Sequence, residues 1–474
     1  MATGKTNRNP FPEEEAHHDA SLSDRAVTNR LGSETIGRLL YTYAIPAIIG
    51  TLVMGLYNIV DRIYIGQGVG PDAISGLAVT FPVMTLSGAC GMLIGAGGAA
   101  RVSIVLGKGD HRMACHILGN CLILVLIIAS IYSTVNMIWM KEILFAFGAT
   151  EATYPYAAEF LNIIIPFTVL NNLSFGFNNM MRASGYPRKA MITMLISAFA
   201  NVILDPIFIF VFDMGIRGAA IATVISMSIT VVWVMAHFAN SKHTVSFSRE
   251  GFKLKKRIII SIVSIGLSPF LINATASLVN VFFNRSLLTH GGHLAIGAYG
   301  IINSFGMIIV MLIIGLCQGM QPIVGYNYGA RQFERVERAF KRTALIATII
   351  TSVGCLVALF FPHVIVRAFT TDGELSDLAM HGLRLSLLAF PLVGFQIVTT
   401  NFFQSLGMAW KAIFLSLSRQ VLFLIPLIWL LPRFFDLEGV WVSSPVADLI
   451  SAVVAFVFLA YQWKVIEAQL KPVK

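Results

Sequence analysis

The stretch LLYTYAIPAIIGTLVMGLYNIVDRIYI (39–65) decides the fold, because it is apolar almost throughout and long enough to cross a bilayer. It nevertheless carries a carboxylate, Asp61, near its end. A second carboxylate, Asp205, lies in the stretch 198–212, which is otherwise almost free of charge. Burying a carboxylate in hydrocarbon is costly, so ionisable residues in membrane spans usually face a cavity and belong to an ion path or a proton relay. Asp61 and Asp205 are therefore the first candidates for a functional site.

The composition of the whole chain argues against a soluble enzyme. Of its 474 residues 56% are hydrophobic and only 12% are charged, whereas soluble globular proteins carry roughly 25% charged residues. Backbone in lipid must form helices or closed barrels, and the apolar runs are far too long for barrel strands. The sequence thus predicts an all-α integral membrane protein with twelve transmembrane helices. The predicted spans are 36–65, 73–105, 115–139, 157–184, 188–212, 215–239, 258–289, 294–325, 341–362, 379–406, 411–433 and 439–463.

Basic residues are concentrated in the loops that follow even-numbered spans. They include Arg182, counted with the loop at the end of the fourth span, and a dense cluster at 253–257 in the loop 240–257. The positive-inside rule then places both termini in the cytoplasm of a multi-pass plasma membrane protein. Membrane topology explains the net charge of +10, and no nucleic-acid partner is expected.

Neither the cysteines nor the beginning of the chain suggests a cofactor. The segment 1–35 is polar and lacks the apolar core of a signal peptide, so it is interpreted as a cytoplasmic tail. His17 and His18 within it are too few for a persuasive metal site. The five cysteines form no C-x-x-C pair and predict neither a metal site nor a disulfide framework. They are Cys90, Cys115, Cys121, Cys317 and Cys355.

The two halves of the chain resemble each other at an offset of about 222 residues. NNMMRASGYPRKA (178–190) aligns with TNFFQSLGMAWKA (400–412), and FDMGIRGAAIATVIS (212–226) aligns with FDLEGVWVSSPVADLIS (435–451), which is two residues longer. Because six spans is an even number, both halves enter the membrane with the same orientation, as in transporters built from parallel repeats. The predicted units are the tail 1–35, an N-terminal six-helix bundle 36–239, a basic linker 240–257, a C-terminal six-helix bundle 258–465 and a cytoplasmic tail 466–474.

The fifth and sixth spans contain oxygen ligands at helical spacing. Asn201 and Asp205 are four residues apart and lie on one helical face. Pro206 follows, and its missing N–H leaves a backbone carbonyl one turn earlier without its usual partner. Thr223 in the sixth span adds a hydroxyl. A hard monovalent cation prefers such carboxylate, amide and hydroxyl oxygens.

The first and fourth spans provide further polar candidates. Tyr57 and Asp61 are four residues apart, with Asn58 one step round the helix. Two carboxylates that share an apolar site can also bind a proton near neutral pH. Asn178 and Asn179 are amides in an apolar span, and with Asn58 they are candidates to line a substrate cavity. The alternative is structural, with Asp61 capping a helix end and the carboxylate of the fifth span pairing locally.

Four segments of the chain together carry a family resemblance: PAIIGTLVMGLYNIVDRIYIGQGVG (46–70), NVILDPIFIF (201–210), MGIRGAAIATVIS (214–226) and QPIVGYNYGAR (321–331). They resemble the multidrug and toxic compound extrusion (MATE) family, in its prokaryotic multidrug and DNA-damage-inducible branches. The resemblance covers roughly residues 36–465, and the order and spacing of these motifs make it specific.

The resemblance implies two six-helix bundles in a V that alternate between outward and inward openings. It implies antiport of cationic or amphipathic organic compounds against protons or sodium ions. On this basis Asp61 is the coupling carboxylate of the first helix, with Tyr57 nearby. Asn201, Asp205 and Thr223 are the remaining side chains of the cation site, and with Asp61 they bind sodium if sodium is the ion. The implied partners are small organic substrates and membrane lipids, and the chain is expected to act as a monomer.

The C-terminal half departs from some branches of that family, which keep acidic residues on helices 7, 8 and 10. Here those spans contain no mid-span Asp or Glu, so ion coupling is expected in the N-terminal half. Arg419 and Asp448 are expected to form an ion pair that locks the C-terminal bundle. A contact with substrate is the alternative role for this pair.

Two other functions are weighed against export. A lipid-linked oligosaccharide flippase of related fold usually has a cationic cavity and often extra helices. An intramembrane aspartyl enzyme would use two membrane Asp residues, and GKGD (107–110) spells Gly-x-Gly-Asp. However, Asp110 lies beside Lys108, His111 and Arg112 and is therefore placed in a loop. Without a zinc motif or a Ser-His constellation, the sequence predicts a transporter and not an enzyme.

Overall fold

The computed structural model describes residues 27–69 and 71–470, and this part of the chain consists of α-helices joined by short connections. The predicted tail residues 1–26, with His17 and His18, and 471–474 lie outside the described residues. The membrane-spanning helices are α1 (Ile36–Gly68), α2 (Pro71–Gly107), α3 (His111–Ile138), α4 (Tyr154–Ala183), α5 (Pro187–Val211), α6 (Gly215–Ala239), α7 (256–291), α8 (293–329), α9 (Phe333–Phe360), α10 (Gly373–Ser386 and Phe390–Ser405), α11 (Ala409–Leu430) and α12 (Pro432–Leu470).

Two parts of the chain depart from straight, separate helices. The helical stretch Lys256–Gly329 has 74 residues and would be about 110 Å long at 1.5 Å per residue, far more than a bilayer core. It is interrupted at Gly292, where φ is 69° and ψ is −164°, a backbone conformation that glycine adopts without strain. The stretch therefore forms two helices, α7 and α8. The two segments of α10 bend by 54° between Ser386 and Phe390. Within the described residues the structure therefore contains the twelve spans that the sequence predicts.

The turns between helices show the internal repeat in the backbone. Left-handed φ values occur in pairs that are 222 or 223 residues apart, which is the offset found in the sequence. Such values are uncommon in residues other than glycine, so their recurrence at two aspartates indicates the same turn in both halves. The pairs are Gly109 and Arg331 (φ 77° and 59°), Gly185 and Gly407 (103° and 74°), and Asp213 and Asp436 (52° and 45°).

The two halves meet near one face of the bundle. We call it the terminal face, because α1 begins and α12 ends there beside the connections 108–110 and 330–332. Backbones touch at this seam: a Cβ on Gly266 of α7 would lie 1.6 Å from the carbonyl oxygen of Leu93 in α2. Small residues allow such close helix approach in membranes. The seam thus depends on glycine.

The halves separate toward the opposite face. On α1, Thr51 Oγ1 lies 3.4 Å from the carbonyl oxygen of Met311 in α8, and Gly55 also approaches Met311. One turn further along the same face of α1, Asn58 is exposed. On α8, Ile308 lies about one turn from Met311 in the same direction and is 52% exposed. The contact therefore ends near Gly55, and a cleft opens between the halves on the face opposite the termini.

Part of the predicted N-terminal tail is packed against the C-terminal half. Residues 27–33 form a short helix in which Leu31 is fully buried. The carbonyl oxygen of Leu31 accepts hydrogen bonds from Asn327 (2.9 Å) and Arg335 (3.0 Å). These contacts hold the start of the chain against the junction of α8 and α9.

The linker 240–257 is docked on α3. The side-chain amide of Asn120 donates to the carbonyl oxygens of Gly251 and Lys253, both at 3.0 Å, and its oxygen accepts from the backbone N–H of Lys255 at 3.0 Å. Glu250 pairs with Arg112 at the start of α3, and this guanidinium holds the pKa of Glu250 below its usual range. The basic loop between the halves is thus attached to the N-terminal half.

Substituting Gly266→Ala should loosen the seam between the halves. The new methyl group would overlap the Leu93 carbonyl oxygen, and relieving such overpacking costs about 1–3 kcal/mol. The expected result is a lower melting temperature in detergent. Gly300→Ala on α8 is the matched control, because nothing lies within 4 Å of the position that its new methyl group would occupy. Equal melting temperatures for the two variants would contradict the close approach.

Candidate functional site

Asn201 joins the polar residues of α5 and α6. Its Nδ2 donates to Asp205 Oδ1 and to Thr223 Oγ1, both at 3.2 Å. The Thr223 hydroxyl itself donates to the carbonyl oxygen of Ala219 at 2.9 Å. Asp205 is fully buried and Asn201 is 2% exposed. The structure thus brings together the three residues that the sequence selects on these two helices.

Local sequence explains why α5 presents this pair. The four-residue spacing of Asn201 and Asp205 places both side chains on the face toward α6. Pro206 has no N–H to donate to the carbonyl of Val202, and directly after it the helix widens into the π-helical turn Ile207–Val211. Such π turns in helices are frequent at functional sites. The proline therefore frees a backbone oxygen within one turn of the carboxylate.

Asp61 of α1 completes the site. Its carboxyl group lies within hydrogen-bonding reach of the Asp205 carboxyl, and the Tyr57 side chain is close enough to interact electrostatically with both. Two bare carboxylates repel each other strongly in a buried place, and sharing a proton or cation relieves that repulsion. All five residues predicted for ion coupling are therefore neighbours in the structure.

The oxygens of the site fit a proton or a sodium ion. Asn201 Oδ1 and Asp205 Oδ2 are buried and have no hydrogen-bond partner among the described residues. With Thr223 Oγ1 they supply the amide, carboxylate and hydroxyl oxygens that a hard cation prefers. In the described part of the chain, no group of three or more His, Cys, Asp or Glu side chains is placed to hold a metal ion. The donor set thus suits a monovalent cation and not a transition metal.

The candidate cation site borders a cavity lined by residues of α1, α4, α5 and α6. Asn201 and Thr223 line it, and Asp205 lies directly behind them. None of the lining side chains carries a charge, and most are polar. Methionine adapts its shape to different contacts, so this wall suits small amphipathic molecules. Its apolar members are Met54, Phe175, Met194 and Met227.

The three asparagines predicted to line a substrate cavity lie in different places. Asn178 lines the cavity of the N-terminal half, and its Nδ2 donates to the carbonyl oxygen of Ala190 at 2.7 Å. Asn179 is buried beside it but accepts a hydrogen bond from Arg182 instead of lining the cavity. Asn58 is exposed in the cleft between the halves. Their contacts with substrate remain predictions.

Several hydroxyl and amide groups on the cavity wall are not selected by the sequence analysis. On α4, Asn171 and Ser174 line the cavity together with Asn178. On α6, Ser226 and Thr230 line it below Thr223, and their hydroxyls donate to carbonyl oxygens one turn back. On each helix these residues are spaced by three and four positions, which places them on one face of the helix. This spacing is the signal in the sequence that could have identified them.

The C-terminal half contains an ion pair at the equivalent place. Arg419 Nε lies 2.6 Å from Asp448 Oδ1, so the predicted pairing of these two residues is confirmed. The repeat superposes Asp448 on Thr223 of the cation site and Arg419 on Ser197, which lines the cavity of the N-terminal half. A guanidinium of the protein therefore neutralises the only described carboxylate in this part of the C-terminal half.

Breaking this ion pair on one side should destabilise the protein. Arg419→Leu leaves Asp448, which is 5% exposed, without a counterion, at a cost of about 3–5 kcal/mol. The double variant with Asp448→Leu should recover most of that loss, because no buried charge remains. Thermal unfolding in detergent measures both. The control is Arg433→Leu, which removes an exposed arginine stacked on Trp429. A double variant as unstable as Arg419→Leu would contradict a stabilising ion pair between Arg419 and Asp448.

Comparison with known proteins assigns this architecture. The MatE family model matches residues 46–207 and 258–430, once in each half. The multidrug export protein MepA of Staphylococcus haemolyticus is 28% identical over 427 residues, which cover 90% of this chain and 94% of that protein. MepA of Staphylococcus aureus (strain MSSA476) is 28% identical over 421 residues, 88% and 92% of the two chains.

A solved structure shows the same fold. It is described as the outward-facing conformation of a multidrug resistance MATE family transporter of the MOP superfamily. It is 23% identical to this chain, has a TM-score of 0.87, and the match covers 93% of this chain and 98% of that one. Because the family model spans well over half of the residues, this protein belongs to the MATE family of multidrug and toxic compound extrusion transporters.

Proposed function

We propose that this protein exports cationic or amphipathic organic compounds in exchange for protons or sodium ions by alternating access. The observation that carries the proposal is the carboxyl pair of the half-buried Asp61 and the buried Asp205, beside a cavity whose wall is polar but uncharged. Such a pair binds a cation and neutralises it, and the wall of the adjoining cavity offers hydroxyl, amide and methionine side chains to an organic molecule. Ion exchange and substrate binding thus take place in neighbouring parts of one half.

The charge distribution supports an orientation with both termini in the cytoplasm. Exposed basic residues crowd the connections at the terminal face, as the positive-inside rule requires of cytoplasmic loops. The cleft then opens to the outside of the plasma membrane. This arrangement is outward-open, ready to release substrate and to receive an ion. Representative basic residues of the terminal face are Lys108, Arg112, Arg188, Lys253 and Arg331.

Helix α1 supports the coupling of ion binding to the cleft. It carries Asp61 at the ion site, and two turns earlier Gly55 and Thr51 contact Met311 of the other half. An ion changes a conformational equilibrium only if it binds the two states with different affinity. A proton or cation shared between Asp61 and Asp205 draws α1 toward α5, and its release removes that attraction. The same movement acts on the contact that closes the cleft.

The cavity wall favours small organic substrates over a lipid-linked oligosaccharide. The pyrophosphate of such a lipid needs cationic partners, whereas none of the residues lining the cavity of the N-terminal half is basic. Carboxylates behind the wall attract cations, and methionines adapt to varied apolar groups. The proposed transporter works as a monomer, because one chain supplies both halves and the cleft between them.

Asp205→Asn should abolish gradient-driven transport. An amide cannot exchange a proton and binds cations weakly, so we expect at least about a tenfold loss, comparable to one lost charged contact. Purified protein in liposomes is tested with a fluorescent lipophilic cation, ethidium, under proton and sodium gradients imposed separately. One gradient should drive the wild-type protein, and Asp61→Asn should show the same defect.

The matched control is Asp213→Asn, the same chemical change on the exposed loop after α5. Asparagine tolerates the φ of 52° at this position, so transport should stay at the wild-type level. Gradient-driven transport that survives both Asp61→Asn and Asp205→Asn would show that coupling resides elsewhere.

Thr223→Val should distinguish the two ions. It keeps the shape of the side chain but removes one oxygen from the set around Asn201. If sodium drives transport, the half-saturating sodium concentration should rise by about tenfold, the effect of one lost ligand of about 1.4 kcal/mol. If protons drive it, the pH dependence should stay unchanged. A sodium-driven protein with unaltered sodium affinity in Thr223→Val would exclude this hydroxyl as a ligand.

A further inference from the structure

We infer that Arg182 is a fixed positive barrier beneath the cavity of the N-terminal half, which stops cations that reach the carboxyl pair from passing on to the terminal face. The inference goes beyond the proposed exchange and rests on it only in treating the cavity as a route for cations. A transporter that couples two fluxes needs such a block, because an ion that crosses alone dissipates the gradient.

Arg182 lies one turn below the cavity wall. On α4, Asn171, Ser174 and Asn178 line the cavity at helical spacing, and Arg182 is the next residue of this stripe toward the terminal face. Its Nη1 lies 3.9 Å from the sulfur of Met194 on α5, and Met194 also lines the cavity. The guanidinium therefore forms part of the floor.

The charge of Arg182 has no counterion among the described residues. The side chain is 3% exposed, and its partners, Asn179 Oδ1 and the Met194 sulfur, are neutral. The carboxylates nearest the terminal face are used in other contacts. Glu34 pairs with Arg30 and Arg38, Asp110 caps α3 at the N–H of Met113, Glu250 pairs with Arg112, Glu334 with Arg338 and Glu337 with Lys341.

The fold does not require a cation at this position. Burying a guanidinium without a carboxylate is costly, and buried cations in membrane proteins are generally functional. The repeat superposes Arg182 on Gln404, which is also buried and is neutral. An equivalent backbone thus accepts an amide, so the charge at Arg182 is explained by a role and not by packing.

The cavity has opposite charges at its two ends. Along α5, Asp205 and Met194 are eleven residues apart, or about 16 Å at 1.5 Å per residue. The wall between them is uncharged. A cation is attracted to the carboxyl end and repelled by the guanidinium, and an arginine in a pore excludes cations in this way. Repulsion is strong here because the surroundings have a low dielectric constant.

Neighbouring groups on the floor do not offset this charge. His237 of α6 is buried between the rings of Tyr186 and His243, whose centres lie 4.8 and 4.2 Å from its own. Lys189 lies 5.0 Å from the centre of the Tyr186 ring. The described side chains of the floor are thus neutral or positive, which extends the barrier.

Removing the charge should open a cation leak. The full chain is placed in liposomes without any substrate, and a potassium diffusion potential, negative inside, drives entry of radioactive sodium or of protons reported by an internal dye. Arg182→Gln, which copies the residue of the other half, should raise the leak by about tenfold or more. Arg182→Lys keeps the charge and should stay at the wild-type rate.

Two controls separate a lost barrier from loosened packing. Asn179→Ala removes a hydrogen-bond partner of Arg182 but leaves the charge, so it should not leak. Permeability to glycerol and chloride should be unchanged in Arg182→Gln, because a general opening passes neutral solutes and anions as well. Adding Asp205→Asn should lower the leak of Arg182→Gln if cations travel past the carboxyl pair.

The inference is overturned if Arg182→Gln lets cations into the liposomes no faster than the wild-type protein does, or if it passes glycerol as readily as sodium. An equal leak in Arg182→Lys or Asn179→Ala also overturns it. Arg182→Met is a second neutral variant; if neither neutral variant folds while Arg182→Lys does, the charge is structural and the barrier is rejected. Since the leak is measured without substrate, its outcome is separate from the loss of driven transport in Asp205→Asn that tests the proposed function.

Discussion

The contact between two carboxyl groups, Asp61 on α1 and Asp205 on α5, is the constraint on which the rest of the structure depends. In a buried place such a contact is repulsive when both groups are ionised and attractive when they share a proton or a cation. The amide nitrogen of Asn201, which donates to Asp205 Oδ1 and Thr223 Oγ1, holds the site in position. Helices α1 and α5 are therefore joined by an interaction whose sign depends on an exchangeable ion.

The two halves share a backbone but differ in where they place charge. The turns recur with the same left-handed φ values, yet Thr223 of the N-terminal half corresponds to Asp448, and Arg182 corresponds to Gln404. In the C-terminal half the guanidinium of Arg419 neutralises the buried carboxylate. In the N-terminal half Asp61 and Asp205 lie beside the cavity and the guanidinium of Arg182 lies on the side of the terminal face. The duplicated scaffold thus carries different charges in its two halves, and the proposed ion exchange belongs to the N-terminal half.

Hydrophobicity and helical spacing are sufficient to predict the twelve spans and which candidate residues share a helix face, because both depend on local periodicity. The grouping of Asp61 with Asp205 follows instead from the family resemblance. Asn201 and Asp205 must share a face whatever the helix packs against. Tertiary packing decides what the sequence cannot predict. The sequence places Arg182 in a loop because it lies at the end of a span, and it places residues 27–33 in a tail because they are polar. A count of basic or polar residues does not show which side chains fold inward.

Helix α1 connects the candidate ion site to the seam between the halves, and its sequence weakens it within the stretch that packs on the other half. Pro46 lies within α1 and has no N–H for the carbonyl of Thr42, so the helix is weakened there. Near this point α1 packs closely on α8, where a Cβ on Gly315 would lie 2.6 Å from the Cα of Ile48. The part of α1 that carries Asp61 also carries the contacts with α8, so a bend at this weakened turn moves both together. In the proposed exchange, a change in the sign of the carboxyl contact thereby becomes a change in the width of the cleft.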